Sequence, residues 1–227
     1  MLKQNLAIIY KSDQRSFIES KEFKRYTTLD FENHPQDYQE LFGVLQVFND
    51  EVLLPSKSIS HQCNKTQEVV LIPLVGAIDV NFEDKTEFVH IEQLYKFYVE
   101  KGDSFTIANP YEKESINYLE LRFEKEDNPS KMLKDFSLKR KNEMFSIIET
   151  EKQKLSIGIF RGRHENDYKL KKSQNSLFAF VINGAFEFEN RLIESRDGLC
   201  IQKIQVAEFE ALSENAILLI LEIFKTD

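Results

Sequence analysis

The sequence contains no tryptophan, only two cysteines, and few of the residues that interrupt regular structure. Seven glycines and five prolines among 227 residues are too few for a disordered or low-complexity chain. Cys63 and Cys200 lie far apart, so no disulfide framework is expected and both thiols are predicted to be reduced. The first apolar run is too short for a signal peptide or a membrane span. These absences predict a soluble cytoplasmic protein.

Basic residues are also fewer than acidic ones. Thirty Lys and Arg residues stand against 38 Asp and Glu residues, which gives a net charge of −8. A surface that binds phosphates needs a basic face, so neither nucleic acid nor a membrane is expected as a direct partner. The sequence also lacks a P-loop, a GxGxxG fingerprint and a nucleophile elbow. Its four histidines, His34, His61, His90 and His164, are scattered along the chain.

Aromatic and β-branched residues in short runs are what the sequence does contain. The stretch Phe42–Asn109 holds two apolar runs, Val69–Val75 and Ala77–Phe82, which meet at Gly76. A later stretch of this kind ends at the turn Gly102-Asp103. Short strands separated by turn residues are typical of an antiparallel sandwich or barrel. The sequence therefore predicts an all-β protein.

The two halves of the chain repeat one pattern. Gly76 and Gly184 are each followed by alanine, an apolar residue, an acid and another apolar residue. They lie roughly a hundred positions apart, which is the size of a small β-domain. Between them, Glu124–Glu143 is dense in charge of both signs and poor in large apolar residues, as expected of a connection. The predicted division is residues 1–126, a linker at 127–143, and residues 144–227.

A set of motifs resembles the pirin family of bicupins. In the first half they are Phe42-Gly43-x-Leu45-x-Val47-x-Asn49-Asp50-x-Val52, Glu68-Val69-Val70, Leu74-x-Gly76 and Lys101-Gly102. In the second half they are Val181–Glu189, Arg196-Asp197-Gly198-Leu199 and Ile217–Phe224. The resemblance implies two tandem jelly-roll barrels of the cupin type, with a metal site in the first barrel only.

The metal positions implied by this resemblance carry the wrong residues. The family holds iron or a similar metal with His-x-His, a third histidine, and a glutamate two residues after it. Gly76 and Glu68 place the first pair at Gln62 and Asn64, and Gly102 places the second at Ile107 and Asn109. Neutral amides are weak ligands and Ile107 is no ligand, so no metal and no other cofactor is expected. These four residues are instead predicted to line a cavity, mostly with amides.

A shift of one residue offers an alternative. His61 and Cys63 keep the spacing of a ligand pair that suits zinc, and Glu68 is a further neighbour of the site. A one-residue shift turns every side chain of a strand to its other face, and the matching downstream residues, Thr106 and Ala108, are not ligands. The same offsets counted back from Gly184 give Leu170 and Lys172. Iron or zinc is thus the alternative to a site without metal.

Two functions follow from the resemblance. The first is a non-catalytic bicupin that has lost the family metal and binds a small organic molecule in its N-terminal barrel, or acts by regulation through a protein partner. The alternative is a metal-dependent dioxygenase of the quercetin 2,3-dioxygenase type, since family members with the full ligand set open flavonol rings with O₂. No residue receives a catalytic role from the sequence, because that chemistry requires the metal.

Overall fold

The protein was analysed as a computed structural model, which describes residues 7–32 and 39–225. Its elements are β-strands and two short 3₁₀ helices, Ser12–Gln14 and Gln39–Leu41, and no α-helix occurs in the described ranges. The predicted all-β class is confirmed. No helix in this part of the chain has the length and apolar character needed to cross a membrane. His34 falls outside the described residues.

The chain divides into two compact units. The N-terminal unit comprises described residues 15–32 and 45–136, and the C-terminal unit comprises 7–14, 39–44 and 137–225. The N-terminal unit contains β2 (Ser16–Glu19), β3 (Phe23–Asp30), β4 (Leu45–Leu53), β5 (Ser58–Gln62), β6 (Gln67–Val75), β7 (Ile78–Phe82), β8 (Lys85–Val89), β9 (Gln93–Val99), β10 (Ser104–Ala108), β11 (Ile116–Glu124) and β12 (Met132–Asp135). The C-terminal unit contains β1 (Ala7–Tyr10), β13 (Glu143–Glu149), β14 (Gln153–Phe160), β15 (Glu165–Lys169), β16 (Ser176–Asn183), β17 (Ala185–Phe188), β18 (Arg191–Glu194), β19 (Gly198–Gln202), β20 (Val206–Ala211) and β21 (Ala216–Ile223).

Each unit is a barrel of two antiparallel sheets around an apolar core. In the N-terminal unit the sheets run β12-β9-β6-β11-β4-β3-β2 and β5-β10-β7-β8. In the C-terminal unit they run β1-β19-β16-β21-β14-β13 and β15-β20-β17-β18. One apolar cluster fills each barrel, with Phe97 and Phe105 in the first and Phe186 and Phe209 in the second. The prediction of two tandem jelly-roll barrels is confirmed.

The boundaries differ from the predicted ones in two places. The first strand pairs with β19, with Ala7 opposite Ile201 and Tyr10 opposite Gly198, so it belongs to the C-terminal unit. Within the predicted linker, Met132–Asp135 adds a strand to β9, and the chain passes to the C-terminal unit after Phe136. Local composition indicates a strand or a charged segment, but it cannot indicate which open sheet edge accepts it.

The two predicted repeat glycines occupy matching bends. Gly76 ends β6 with φ 74° and Gly184 follows β16 with φ 84°, a conformation that side chains disfavour. A Cβ added at Gly76 would lie 2.7 Å from Ile116 Cγ2, and one at Gly184 would lie 2.9 Å from Ala216 Cβ. Ile116 and Ala216 are the first residues of β11 and β21. Each glycine thus packs against the first residue of an equivalent strand, β11 in one barrel and β21 in the other.

Candidate functional site

A cluster of charged side chains lies inside the N-terminal barrel. Strand β11 alternates, so Ile116 and Tyr118 contribute to the barrel core and Glu120 and Arg122 follow on the same face. Neighbouring β4 places Glu51 opposite Tyr118. The remaining members come from β3, which contributes Arg25, and from β5, which contributes His61.

Every carboxylate oxygen of the two buried acids accepts a hydrogen bond. Arg25 Nε donates to Glu51 Oε1 at 2.6 Å, and Tyr118 Oη donates to Glu51 Oε2 at 2.8 Å. Glu120 Oε1 accepts from Arg122 Nη2 at 2.7 Å and Nε at 2.8 Å. Asn49 Nδ2 donates to Glu120 Oε2 at 3.1 Å. Two arginines therefore balance two glutamates in the barrel interior, as buried charges require.

His61 is held in one orientation and one tautomer. Its ring stacks on Phe105 with centroids 4.7 Å apart, and Arg122 Nη2 lies 2.8 Å from His61 Nδ1. A guanidinium group only donates, so Nδ1 must accept and Nε2 must carry the proton. His61 is 6% exposed, and Nε2 has no hydrogen-bond partner among the described residues. The cluster thus presents one buried N–H donor with no protein acceptor.

Burial and neighbouring charges set the protonation of the cluster. Burial lowers the pKa of His61 to about 4 against the opposing attraction of Glu120, so the ring is neutral at pH 7. Burial and the charge of Glu120 raise the pKa of Glu51 to about 7, although Arg25 opposes the rise. Burial also acts to raise the pKa of Glu120, but the charges of Arg122, His61 and Arg25 outweigh it and lower that pKa. Glu120 is therefore the acid that stays ionised.

The cluster also contains side-chain types found in metal sites, namely those of Glu51, His61 and Glu120. One ligand atom from each lies within 4.8 Å of the other two. A divalent ion would have to displace the donors that occupy both carboxylates, and it would add two positive charges beside Arg25 and Arg122. Arg122 Nη2 already bridges Glu120 Oε1 and His61 Nδ1. In this arrangement a guanidinium group therefore occupies ligand atoms that a metal ion would use.

The corresponding interior of the C-terminal barrel is different. Leu53 pairs with Ile116 and Phe160 pairs with Ala216, which makes the two strand pairs comparable position by position. Where the first barrel places Glu51 opposite Tyr118, the second places Gly158 opposite Leu218. At the Glu120 position the second barrel has Ile220, which is buried in its apolar core. At the Arg122 position it buries Glu222, which accepts from Asn175 Nδ2 at 2.6 Å. This fold therefore does not need acids at the Glu51 and Glu120 positions.

A cleft of about 370 Å³ adjoins the cluster. Its walls include Arg25, His61 and Arg122 from the cluster, the apolar side chains Phe23 and Ile59, and the acid Glu32. Arg25 Nη2, like His61 Nε2, is buried without a partner in the described ranges. Two residues that line the cleft thus each carry a buried N–H group without an acceptor in the described part of the chain.

Known proteins resemble this chain in part of its sequence and in its fold. Residues 139–223 match the family described as quercetinase C-terminal cupin domain. Among solved structures, YhhW from Escherichia coli superimposes with a TM-score of 0.83 at 16% identity, over 97% of this chain and 99% of that chain. The chain has the fold of a bicupin, and its residues 139–223 are similar to this C-terminal cupin domain. A second structure of YhhW, a bacterial pirin in complex with nickel(II), gives a TM-score of 0.82 at 16% identity, over 97% of this chain and 100% of that one.

Another similar structure bears the name of an enzyme. Quercetin 2,3-dioxygenase from Acinetobacter baumannii superimposes on the bicupin with a TM-score of 0.76 at 10% identity, over 98% of this chain and 87% of that chain. At such identities the structural likeness concerns the fold. By sequence, no curated protein matches the chain.

The four positions aligned with the metal ligands do not converge in this bicupin fold. Gln62 and Asn64 are exposed, and Gln62 Nε2 donates to Gly102 O at 2.9 Å. Ile107 is buried in the barrel core opposite Ile59. Asn109 Nδ2 donates to the carbonyl oxygens of Leu54 and Glu114 at 3.0 and 2.8 Å, which joins a loop to the end of the strand.

The predicted cavity of these four residues therefore requires correction. On β5 the buried positions are Ile59 and His61, followed by Cys63, so the register is one residue away from the assumed one. A one-residue difference reverses the faces of a strand. Gln62 and Asn64 line only the outer part of the cleft, while His61 reaches the cluster.

The other predicted neighbours of the site lie elsewhere. Cys63 is part of the barrel core, and burial raises the pKa of its thiol. Glu68 is on the opposite face of β6 from Val69 and forms a buried ion pair with Lys96, with 2.9 Å between Oε2 and Nζ. Of the second-barrel positions, Leu170 belongs to the apolar core and Lys172 is exposed. Both cysteines are thiols, Cys63 in the N-terminal unit and Cys200 in the C-terminal unit.

Four residues of the cluster were missed by sequence reasoning: Arg25, Glu51, Glu120 and Arg122. One signal was available for two of them, because Glu120 and Arg122 alternate with Leu119, Leu121 and Phe123 in an otherwise apolar strand. Charged residues at alternate positions normally indicate a solvated face. Only the core contacts of Ile116 and Tyr118 identify that face as the interior.

Proposed function

We propose that this pirin-like bicupin works without the family metal and binds a small organic molecule in its N-terminal barrel, without catalysing a reaction on it. One observation carries the proposal. The guanidinium of Arg122 lies 2.7 Å from Glu120 Oε1 and 2.8 Å from His61 Nδ1. An internal cation thus occupies the donor atoms that a metal ion would need.

The comparison between the two barrels supports a role in binding. Replacing a buried ion pair by apolar residues is often neutral or stabilising. The C-terminal barrel has Gly158 and Ile220 where the N-terminal barrel has Glu51 and Glu120. The charged cluster is therefore poorly explained as a source of stability. Its position beside a cleft lined by Arg25, His61 and Arg122 suits a site for a polar ligand.

A metal-dependent dioxygenase is the second candidate. It is favoured by the short distances among Glu51, His61 and Glu120 and by the name of the similar Acinetobacter structure. The chemistry would require the metal to bind where Arg25 and Arg122 now donate. Nothing else in the cluster supplies an electron acceptor or an activated water.

Elemental analysis of protein purified without an affinity metal or chelator separates the two candidates. The proposal expects less than about a tenth of an equivalent of iron, nickel, zinc or manganese, and no rise of the thermal midpoint when these ions are added. O₂ consumption with quercetin as substrate should stay at the level of the buffer. Near-stoichiometric metal held by Glu51, His61 and Glu120, with O₂ uptake on quercetin, would establish the dioxygenase instead.

A further inference from the structure

Strand β5 ends its sheet and pairs with β10 alone, so one of its edges has no partner strand. Hydrogen-bonded and non-bonded residue pairs alternate along an antiparallel ladder. At the two ends of β5, Cys63 N donates to Asp103 O at 2.9 Å and Asn109 N donates to Lys57 O at 2.8 Å. The odd-numbered residues of this strand therefore bond to β10.

The even-numbered residues, Ser58, Ser60 and Gln62, direct their backbone N–H and C=O groups to the free edge. The side chains agree with this assignment, because Ser60 Oγ lies 2.8 Å from Thr106 Oγ1 and side chains approach closely in a non-bonded pair. All three residues are exposed. None of the described residues forms a hydrogen bond with these backbone groups. An edge of this kind is a template for a further strand.

The free edge of β5 borders the cleft beside the charged cluster. The lining residues include Ser60 and Gln62, whose side chains face outward, and Ile59 and His61, whose side chains face inward. A cleft that is lined from both faces of a strand lies along the edge of that strand. The cleft of about 370 Å³ thus runs beside the backbone groups that lack a partner, with Phe23 among its other lining residues.

Strand β5 also lacks the features that prevent edges from pairing. Exposed edges usually carry charged residues, proline or a bulge. The sequence of β5, Ser-Ile-Ser-His-Gln, contains no proline and no group that is charged at pH 7, and its register with β10 is regular. The other outer strand of the same sheet, β8, contains Lys85 and Glu87. The edge of β5 is therefore suited to accept another backbone.

We infer that the free edge of β5 binds an extended segment of a protein partner, which joins the sheet as a further strand. The inference goes beyond the proposed function, which concerns a small molecule. Alternate side chains of the added strand turn toward the cleft, where Phe23 and Ile59 offer apolar contacts. The segment therefore has apolar residues at alternate positions and polar residues opposite Ser58, Ser60 and Gln62.

The charges around this edge favour acidic residues at the ends of the segment. Exposed Lys57 and Lys65 flank β5 in the chain, and the side chain of Arg25 is 21% exposed in the cleft. The acid that lines the cleft, Glu32, is 13% exposed at its side chain. A second copy of this chain is a poorer match, because two antiparallel β5 strands would place lysines of both copies at each end of the pair.

The test uses the fluorescein-labelled peptide Asp-Thr-Val-Thr-Val-Thr-Asp with blocked ends and the full-length protein. Its threonines are placed to hydrogen-bond with Ser58, Ser60 and Gln62. Methylation of the threonine backbone nitrogens should weaken binding at least about ten-fold, because the donors to the edge are lost. Methylation of the valine nitrogens, which point away from β5, should have the smaller effect. Replacing both aspartates by lysine should weaken binding about three-fold at low salt.

Two variants at one position give the matched comparison. Ser60→Pro removes an N–H group of the free edge but no bond to β10, and it should weaken peptide binding about ten-fold. Ser60→Ala also loses the contact with Thr106 but keeps the N–H group, so its affinity should equal that of the unaltered protein. The peptide should slow hydrogen exchange at the Ser60 and Gln62 amides and leave the exchange of His61, already bonded to β10, unchanged.

The outcomes decide between the occupants of this edge. Equal weakening by the two methylation patterns, no binding of millimolar peptide, or unchanged exchange at Ser60 and Gln62 overturns the inference. A dimer of the unaltered protein that Ser60→Pro converts to a monomer would assign the edge to a second copy instead. If Ser60→Pro does not fold, the methylated peptides and the exchange rates of the unaltered protein still decide. Neither result affects the proposed function, which the metal analysis tests separately.

Discussion

Arg122 Nη2 donates to His61 Nδ1 across 2.8 Å, and the same nitrogen lies 2.7 Å from Glu120 Oε1. One guanidinium thereby neutralises a buried acid, selects the tautomer of a buried histidine and leaves the other imidazole nitrogen as a donor. Arg122 is only 11% exposed at its side chain, and Glu120 is fully buried.

Removing Arg122 should be strongly destabilising, because Glu120 would remain buried without its cation. We expect Arg122→Met to lower the free energy of unfolding by about 3–5 kcal/mol, measured by urea denaturation. The matched control is Arg163→Met, whose side chain is 79% exposed beside Glu210 and whose loss should cost less than about 1 kcal/mol.

The same cluster allows a rescue test. Adding Glu120→Leu to Arg122→Met removes the unpaired charge and approximates Ile220 of the C-terminal barrel. Most of the lost stability should return. A double variant as unstable as Arg122→Met would show that packing, and not the unpaired Glu120 charge, caused the loss.

The stability of the protein should depend on pH through Glu51. Its pKa is about 7 in the folded protein, raised by burial and by Glu120 from 4.5. The folded state therefore binds more protons than the unfolded state between these values. The stabilising contribution is complete below pH 4.5 and is lost as pH rises through 7. As pH rises over this interval, the free energy of unfolding of Glu51→Gln should increase by about 3 kcal/mol relative to that of the unaltered protein.

The pH dependence of the unaltered protein alone does not isolate Glu51, because the contribution of His61 to that dependence has the opposite sign. The unaltered protein must therefore be compared with Glu51→Gln. Its pKa falls to about 4 in the folded state from 6.5, so its contribution grows as pH rises between those values. The two effects partly cancel in the unaltered protein. Denaturation curves of both proteins at pH 5, 6, 7 and 8 isolate Glu51. A stability difference that stays constant across this range would contradict the raised pKa.

His61 should be neutral, with its proton on Nε2, throughout pH 5.5–8. The reason is burial together with the hydrogen bond from Arg122 to Nδ1. Long-range ¹H–¹⁵N spectra of histidine-labelled protein distinguish the tautomers, and His61→Gln assigns the resonance. The exposed His90 and the half-buried His164 provide further resonances for comparison. A proton on Nδ1, or a titration near pH 6.5, would contradict the hydrogen bond from Arg122 and the burial of the ring.

Gly76 should tolerate alanine less well than Gly102. Both have positive φ, 74° and 102°, so both substitutions strain the backbone. A Cβ at Gly76 also meets Ile116 Cγ2 at 2.7 Å, whereas at Gly102 nothing lies within 4 Å. Thermal unfolding should show Gly76→Ala to be less stable than Gly102→Ala by about 1–3 kcal/mol, the usual cost of overpacking. Equal losses would mean that the contact with Ile116 relaxes without cost.

The sequence by itself determined the class of fold and its duplication. Alternating apolar residues indicate strands, and the Gly76 and Gly184 motifs indicate the repeated bend, because both signals are local properties of the chain. The apolar motif Ile217–Phe224 likewise falls in a strand, and β21 is buried at seven of its eight residues. Local patterns survive in the folded protein because each barrel must bury one face of every sheet.

Only the tertiary structure decided the site. Counting back from Gly76 selects Gln62 and Asn64, but the turn between β5 and β6 leaves His61 and Cys63 buried. Because side chains alternate along a strand, an error of one residue exchanges the interior for the surface. Arg25, Glu51 and Glu120 come from three strands, and their proximity depends on the pairing of β3, β4 and β11. Strand pairing is a property of the whole sheet, and no stretch of sequence encodes it alone.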